Sequence, residues 1–542
     1  HLGLGSLSSP DSLLVIWPGG AWQTLYPTEQ GQTLTLRQGE ARGNYYRDRT
    51  VGQSSPWQTS DSLLPFIHRE NLSLDFDREP LVPYARSNEG PDLSIGDVNR
   101  DGLDDIFISG AKRQASALYI QQADGSLSAT DSALFAEDAL NEDTGHLFLD
   151  VDRDKQLDLL VVSGGNEFKS GKPLQPRLYR NINGRFQKDS TAFAGFDINA
   201  SAVDSVDIDL DGDLDIFISA DAIAGAFGKS PQHGLFENNG SGQFRNVTRE
   251  RIPEIQEFGS ITDFSWTDLN ADGTPDLIVA GHWAPVAVFL SEGNRWVRIR
   301  NNGLDQTHGL WNCIEAFDID GDGDTDLVGG NWGLNSKLKA SPEFPLTLYR
   351  EDFDQNGSVE PLVTYFHQGV ETPFASKDEL GKQMPFLNKK FRTYREFALA
   401  SLEELFGTEA LNKADRKQVV ELASCIFLNQ GGGRFEKKPL HTMAQTSVVY
   451  DILPEDVDGD GYRDLILTGN LFEVSTQLGR MDAFHGLVLL NAGSGSFTWS
   501  TKKSPILSGA GRKLDTLRLQ KKKYYIMGRN NASPLFITKD GK

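Results

Sequence analysis

Seven stretches of this sequence place oxygen-bearing side chains at positions 1, 3, 5 and 9 of a nine-residue frame. One of them reads DIDGDGDTD and supplies Asp318, Asp320, Asp322 and Asp326. The others supply Asp97, Asn99, Asp101 and Asp105; Asp150, Asp152, Asp154 and Asp158; Asp207, Asp209, Asp211 and Asp215; Asp268, Asn270, Asp272 and Asp276; Asp352, Asp354, Asn356 and Glu360; and Asp456, Asp458, Asp460 and Asp464. Carboxylates this close repel one another unless a cation holds them. Alternating oxygens around a sharp turn, with no Cys or His nearby, suit a hard ion such as Ca²⁺ and disfavour zinc and softer metals. One copy would pass for a solvated acidic turn; seven copies imply up to seven calcium sites. Position 6 is glycine in six loops and Lys155 in the other, where a lysine must adopt a left-handed backbone and adds positive charge. Three loops exchange one aspartate for Asn99, Asn270 or Asn356. The expected order is therefore tightest binding at 207, 318 and 456 and weakest at 150.

An EF-hand needs a glutamate at position 12 and flanking helices. Here position 12 is Ile108, Val161, Ile218, Val279, Gly329, Val363 or Leu467, inside apolar runs such as IFIS, LLVVSGG and LILTGN. Such runs, bounded by Gly and Asp, predict buried strands. The loops thus join the two strands of a hairpin. The net charge of −23 argues against nucleic acid, which requires a basic face. No stretch approaches the roughly 20 apolar residues that span a bilayer. Cys313 and Cys425 sit in apolar strand-like contexts and read as small buried hydrophobes. Compartment follows from calcium, which points outside the cell. The abrupt start at HLGLG is expected to belong to a processed or truncated product, so a missing signal peptide is uninformative.

Loop starts at 97, 150, 207, 268, 318, 352 and 456 define an internal repeat. Several loops are followed by a second hairpin, for example RLYRNINGRFQK and CIFLNQGGGRFEKK. Two hairpins per repeat give four-stranded sheets, and radial repetition of such sheets gives an all-β propeller of seven or eight blades, with eight preferred. The short step from 318 to 352 predicts an abbreviated blade. The long step to 456 contains stretches of helical periodicity, and a helical insertion is placed at about 375–424. The tail reads as three strands without a loop, completed by an N-terminal strand near 72–76.

The loops and their flanks resemble FG-GAP/VCBS repeats, the calcium-bearing propeller repeats also found in integrin α-subunits. Residues 1–42, with the HLGLG start and Trp17 to Gly20 as a WPxG core, resemble the end of an ASPIC/UnbV module; 43–65 is read as a linker and 66–542 as the propeller. Together these resemble CRTAC1-like surface proteins of Gram-negative bacteria. The resemblance implies an extracellular, outer-membrane-associated protein, often a lipoprotein. It also implies a glycan or protein partner, including a SusC/SusD-like importer. Fold resemblance alone does not establish function.

The expected binding surface is the face opposite the loops, where the turns after each second strand carry His282, Trp283, Asn331, Trp332, Asn335 and Asn470. Exposed Trp and Asn suit stacking and directed hydrogen bonds to sugars or peptides; the alternative is that these tryptophans pack between blades. The helical insertion is a rival docking site for a protein partner. The competing function is a calcium-dependent polysaccharide lyase or other glycan-active enzyme. Against it, the sequence has no HExxH, no GxSxG elbow and no cysteine with a basic neighbour to activate it.

Overall fold

The computed structural model describes residues 11–18, 20–26, 33–43, 45, 56–72, 75–499 and 504–539. Two compact units are present, His1–Pro56 and Trp57–Lys542. In the first, Leu13–Ile16 pairs with Trp22–Leu25 in an antiparallel hairpin whose turn is closed by the Trp17 amide donating to the Ala21 carbonyl. The remainder of the expected 1–42 module lies partly outside the described residues.

Among the described residues of the second unit, short apolar runs pair into eight four-stranded antiparallel sheets. Seven of them, the blades, follow one another along the chain at 93–130, 143–189, 199–246, 263–298, 313–439, 449–499 and 510–539. Their first strands adjoin one another in a closed cycle, the last touching the first. Second strands such as Asp105–Ile108, Asp158–Ser163 and Asp276–Ala280 are buried along their whole length, because both faces meet a neighbouring sheet. Between the third and fourth blades, for instance, Phe217, Val279, Phe289 and Trp296 form one cluster. Each such side chain contributes about 1.5–3 kcal/mol by leaving water.

The ring closes differently from expectation. The seventh blade consists of Ala510–Leu519, Lys522–Asn530 and Leu535–Lys539, and its fourth strand is Trp57–Ser60, paired with Leu535–Lys539. The segment near 72–76 is not that strand; Asp75–Arg78 is one helical turn, and residues 73 and 74 lie outside the described residues. The end of the expected linker therefore belongs to the propeller.

The fifth blade is interrupted rather than abbreviated. Cys313–Phe317 and Asp326–Gly330 are completed only by Cys425–Asn429 and Phe435–Pro439. Between them lies the eighth sheet, Leu346–Glu351, Glu360–His367, Val370–Pro373 and Asp415–Val419, which carries the 352–360 loop. The inserted helices run from Lys377 to Lys413, three of them opened by capping boxes at Ser376, Thr393 and Ser401. The stretch after Lys413, expected to be helical, instead forms Asp415–Val419, because Leu346–Glu351 offers an edge to pair with. Among the described residues no helix is long and apolar enough to cross a membrane.

Candidate metal loops and axial cavity

Every loop starts just after a first strand, and its position 9 is the first residue of the second strand. Position 1 accepts backbone N–H groups within its own loop: Asp207 takes those of Asp211 and Gly212 at 3.1 and 2.9 Å. Position 9 serves a different purpose. Asp215 accepts the Ile208 amide at 2.9 Å with one oxygen and the Asn238 amide, on the third strand, at 2.7 Å with the other. Asp105, Asp158, Asp276, Asp326 and Asp464 repeat this double contact; Glu360 keeps the first half, accepting from Phe353. Burial raises these acids above the ordinary carboxylate range, to about 6 for Asp105, Asp158 and Asp326 and about 7 for Asp215 and Glu360.

The sequence reading missed a second partner. Asn181, Asn238 and Asn491, each ending a third strand, donate from their amides to the position-2 carbonyls of the preceding blade's loop: Val98, Val151 and Ile319, at 2.7, 2.9 and 2.7 Å. The recurring Asn in RLYRN, GLFEN and LVLLN was the available signal. The loops are therefore joints between blades as well as hairpin ends.

The loops fit a cation to different degrees. Carboxylate oxygens lie within 4.8 Å of one another for Asp150, Asp152 and Asp158; Asp207, Asp209 and Asp215; Asp318, Asp320 and Asp326; Asp352, Asp354 and Glu360; and Asp456, Asp458 and Asp460. At position 3, Asp152, Asp320 and Asp354 each keep a buried oxygen with no hydrogen-bond partner, the condition a bound ion relieves. In the loops at 97 and 268 the Asn99 and Asn270 amides donate instead to Asp101 and Asp272 at 3.0 and 2.9 Å. The donors are all oxygen, as calcium requires.

Position 4 is left-handed in every loop, as is position 6. Arg100, Arg153, Leu210, Ala271 and Gln355 have φ between 56° and 64°, whereas the loops at 318 and 456 use Gly321 and Gly459. Lys155 adopts φ 69° at position 6, so the 150 loop holds two non-glycine residues in that region. Arg180 also donates to Asp152 at 3.1 Å, giving this loop a guanidinium counter-charge of its own. Replacing Lys155 with Gly should raise the chemical-denaturation midpoint in calcium by an amount worth about 1 kcal/mol, since a left-handed L-residue costs that much. An unchanged or lower midpoint would mean that the lysine is unstrained.

The face opposite the loops is covered by the chain itself. Trp332 is 1 % and Trp283 6 % exposed, packed with Tyr84, Leu310, Leu346, Leu348 and Val363, so the inserted sheet and the segment before the first blade both rest on them. Asn331 accepts from the Leu310 and Trp332 amides and donates to the Glu421 and Ala423 carbonyls. Asn470 donates to Phe484 and Gly509 carbonyls. His282 bonds Tyr84 and Arg86 through Nδ1 and Asn312 through Nε2, and burial lowers its pKa well below the usual value. These five are structural in this arrangement, and the expected exposed surface is not formed by them; Asn335 alone is exposed, with its amide on the Thr446 carbonyl. Trp283 is held at φ 59°, in a region a bulky residue rarely enters. Cys313 and Cys425 are buried and unbridged.

An axial cavity of ≈ 420 Å³ is lined by residues of all seven first strands or their approaches. Asp92, Asp204, Asp263, Glu315 and Asp451 face it, together with Lys513, whose ammonium lies 3.5 Å from Asp451. Three of these acids also staple neighbouring blades: Asp92 accepts from the His146 amide, Asp263 from Ile314 and Asp451 from Leu514. Their placement was legible as acids five or three residues before a loop's first aspartate, on one face of a strand. Burial is the main cause that lifts Asp263 to about 7 and Glu315 to about 8. A carboxyl raised in the folded state contributes stability at low pH that is lost as pH rises through its folded value. Glu315→Gln should therefore melt close to wild type near pH 5 and above it near pH 8.5. A gap that shrinks as pH rises would contradict the placement.

Residues 97–161, 150–218 and 268–329 match the FG-GAP-like repeat, and residues 1–43 match ASPIC and UnbV. The chain is an all-β propeller built with FG-GAP-like repeats and carrying an ASPIC/UnbV segment. The loops at 352 and 456 lie outside the matched stretches. No curated protein matches the chain significantly. Similar solved structures include an Agrocybe aegerita lectin that recognises non-reducing terminal N-acetylglucosamine, at 15 % identity over 82 % of this chain and 85 % of that one, TM-score 0.39. The V. cholerae biofilm matrix protein Bap1 is 10 % identical over 89 % and 91 %, TM-score 0.32. At these scores the likenesses say nothing of function.

Proposed function

We propose that this protein is a non-catalytic binding module, stiffened by calcium in its repeat loops, that works outside a Gram-negative cell at the outer membrane. Its partner is a protein or glycan, with an outer-membrane nutrient importer as the wider assembly. The observation that carries the reading is the acidic axial cavity. Carboxylates from separate blades face one space with Lys513, Arg86 and Arg512 among them, an arrangement that a cationic or amine-bearing, hydroxyl-rich ligand would use. Calcium is supported by the convergent oxygens of five loops. The test is retention of amine-bearing oligosaccharides and of solubilised outer-membrane proteins by the immobilised chain, wild type against Asp204→Asn and Glu315→Gln. Loss of retention by correctly folded variants supports the cavity; equal retention by all three contradicts it.

One observation favours an enzymatic reading: Asp263 and Glu315, held near 7 and 8 beside Lys513, are poised for proton transfer at neutral pH. Incubation with uronate-containing polysaccharides decides it. Unsaturated products that disappear in Glu315→Gln would displace the binding reading.

A further inference from the structure

The inserted helices carry the opposite charge to the chain as a whole. The protein has a net charge of −23, yet residues 380–395, LGKQMPFLNKKFRTYR, contain Lys382, Lys389, Lys390, Arg392 and Arg395 and no acid. All five cations are exposed. The acids that border the stretch are engaged locally. Glu379, Glu396 and Glu404 complete the capping boxes at Ser376, Thr393 and Ser401, and Asp378 accepts the Tyr394 hydroxyl at 2.9 Å. Among the described residues none of the five cations forms an ion pair, whereas Lys413, at the end of the insertion, pairs with Glu351 at 3.2 Å. Lys390 reaches only the Glu404 carbonyl, and Glu396 senses Arg392 at longer range.

Packing holds these helices together and turns one side of them outward. Asn388 donates to the Gly381 carbonyl at 3.0 Å and accepts from Lys377 Nζ at 2.8 Å, and the same ammonium lies 5.5 Å from the centre of the Tyr394 ring. The first three helices, Lys377–Gln383, Phe386–Lys390 and Tyr394–Leu399, are thereby joined. Leu380, Met384 and Leu387 pack on Tyr349, Phe353 and Leu362 of the inserted sheet. Tyr394–Leu399 buries no residue completely; Phe397 faces inward against Phe391. Helical spacing then puts Arg395, Ala398 and Leu399 together on the opposite side, and all three are exposed. Leu399 is 74 % and Tyr394 66 % exposed. Cations and bare apolar side chains thus share the outer surface of the insertion.

We propose that this surface docks the protein onto an anionic lipid surface, with Lys389, Lys390, Arg392 and Arg395 on headgroup phosphates and Leu399 and Tyr394 in the apolar boundary beneath them. A lipid surface presents one sign of charge over an apolar layer, which is what basic residues interleaved with exposed Leu and Tyr match. A nucleic acid or an acidic protein would satisfy the cations and leave Leu399 in water. The negative charge of the remaining chain does not prevent contact, because repulsion between exposed charges is screened beyond about 8–10 Å at physiological salt. The docking surface uses neither the repeat loops nor the axial cavity.

The test is co-sedimentation of the calcium-loaded chain with vesicles of phosphatidylcholine, either pure or containing about 30 % phosphatidylglycerol, at about 0.1 M salt. Binding to the anionic vesicles alone is expected. Combining Lys389→Gln, Arg392→Gln and Arg395→Gln should weaken it about a hundredfold, since each basic residue near such a surface contributes about fivefold. Leu399→Ser should weaken it severalfold. These changes replace exposed side chains, so the melting temperatures should match wild type. Lys521→Gln with Lys522→Gln, on an exposed turn of the seventh blade, should leave binding unchanged. Absent binding, equal binding to neutral vesicles, or wild-type binding by the triple or the Leu399→Ser variant overturns the proposal. So does a loss in the Lys521 and Lys522 variant as large as in the triple one, which would mean that net charge alone decides. Retention on polyglutamate or duplex DNA that the triple variant loses, with vesicles left unbound, would assign the surface to an acidic polymer and overturn the lipid reading.

Discussion

Chelating calcium should lower the melting temperature of the propeller unit by about 10 °C or more. An ion present at a hundredfold excess over its Kd stabilises the folded state by about 2.7 kcal/mol. Five loops already have converged carboxylates, so independent binding at all five amounts to roughly 13 kcal/mol. For a unit of nearly 500 residues, the unfolding entropy is about 1 kcal/mol per degree, which converts that stabilisation to a shift of about 13 °C. The effect should reverse on adding calcium back. It should be shared by the inserted sheet, whose 352–360 loop has the same geometry. A melting temperature that moves by less than about 2 °C with chelator would mean that the hydrogen bonds inside the loops suffice without an ion.

The second large effect separates two roles that the nine-residue frame combines. Asp326→Ala should cost about 3–5 kcal/mol even in chelator, and more in calcium, because Asp326 is also one of the converged carboxylates. It strips the acceptor from two backbone N–H groups, Ile319 at 2.9 Å and Asn429 at 2.6 Å, at a buried position, and each stranded donor costs about 1–3 kcal/mol. Asp322→Asn should behave differently. Asp322 is exposed and accepts only the Asp324 amide at 2.9 Å, which an asparagine carbonyl can still do. Its loss should be within about 0.5 kcal/mol in chelator, as for an ordinary surface change, and larger in calcium. Denaturant melts of both variants with and without chelator check this. Equal, calcium-dependent losses in the two would show that position 9 is a ligand first and a staple second.

These roles mark the limit of what residue order discloses. The loops were legible because ligand spacing and the following apolar run are both local. The left-handed position 4 was not, since Arg100, Leu210 and Gln355 carry no glycine to announce it. The closing strand Trp57–Ser60 is short and mostly polar, and becomes a strand only because Leu535–Lys539 would otherwise present an open edge. Asp415–Val419, with its run of charged residues, is a strand for the same reason. Trp283 and Trp332 looked like ligand contacts because their turns lie on the expected binding face. What buries them is a sheet inserted between two strands of the fifth blade, and no local pattern states where an insertion will rest. The acids of the axial cavity sat in plain view five or three residues before the loops, overshadowed by the denser acidity that follows them.

The most direct test of the central claim is a count of calcium ions on the chelated and then calcium-saturated chain, by native mass spectrometry or equilibrium dialysis. The repeat-loop geometry predicts at least five ions, one of which is lost in Asp320→Asn. A chain that takes up no calcium at millimolar concentration, or takes up the same number after that substitution, would contradict it.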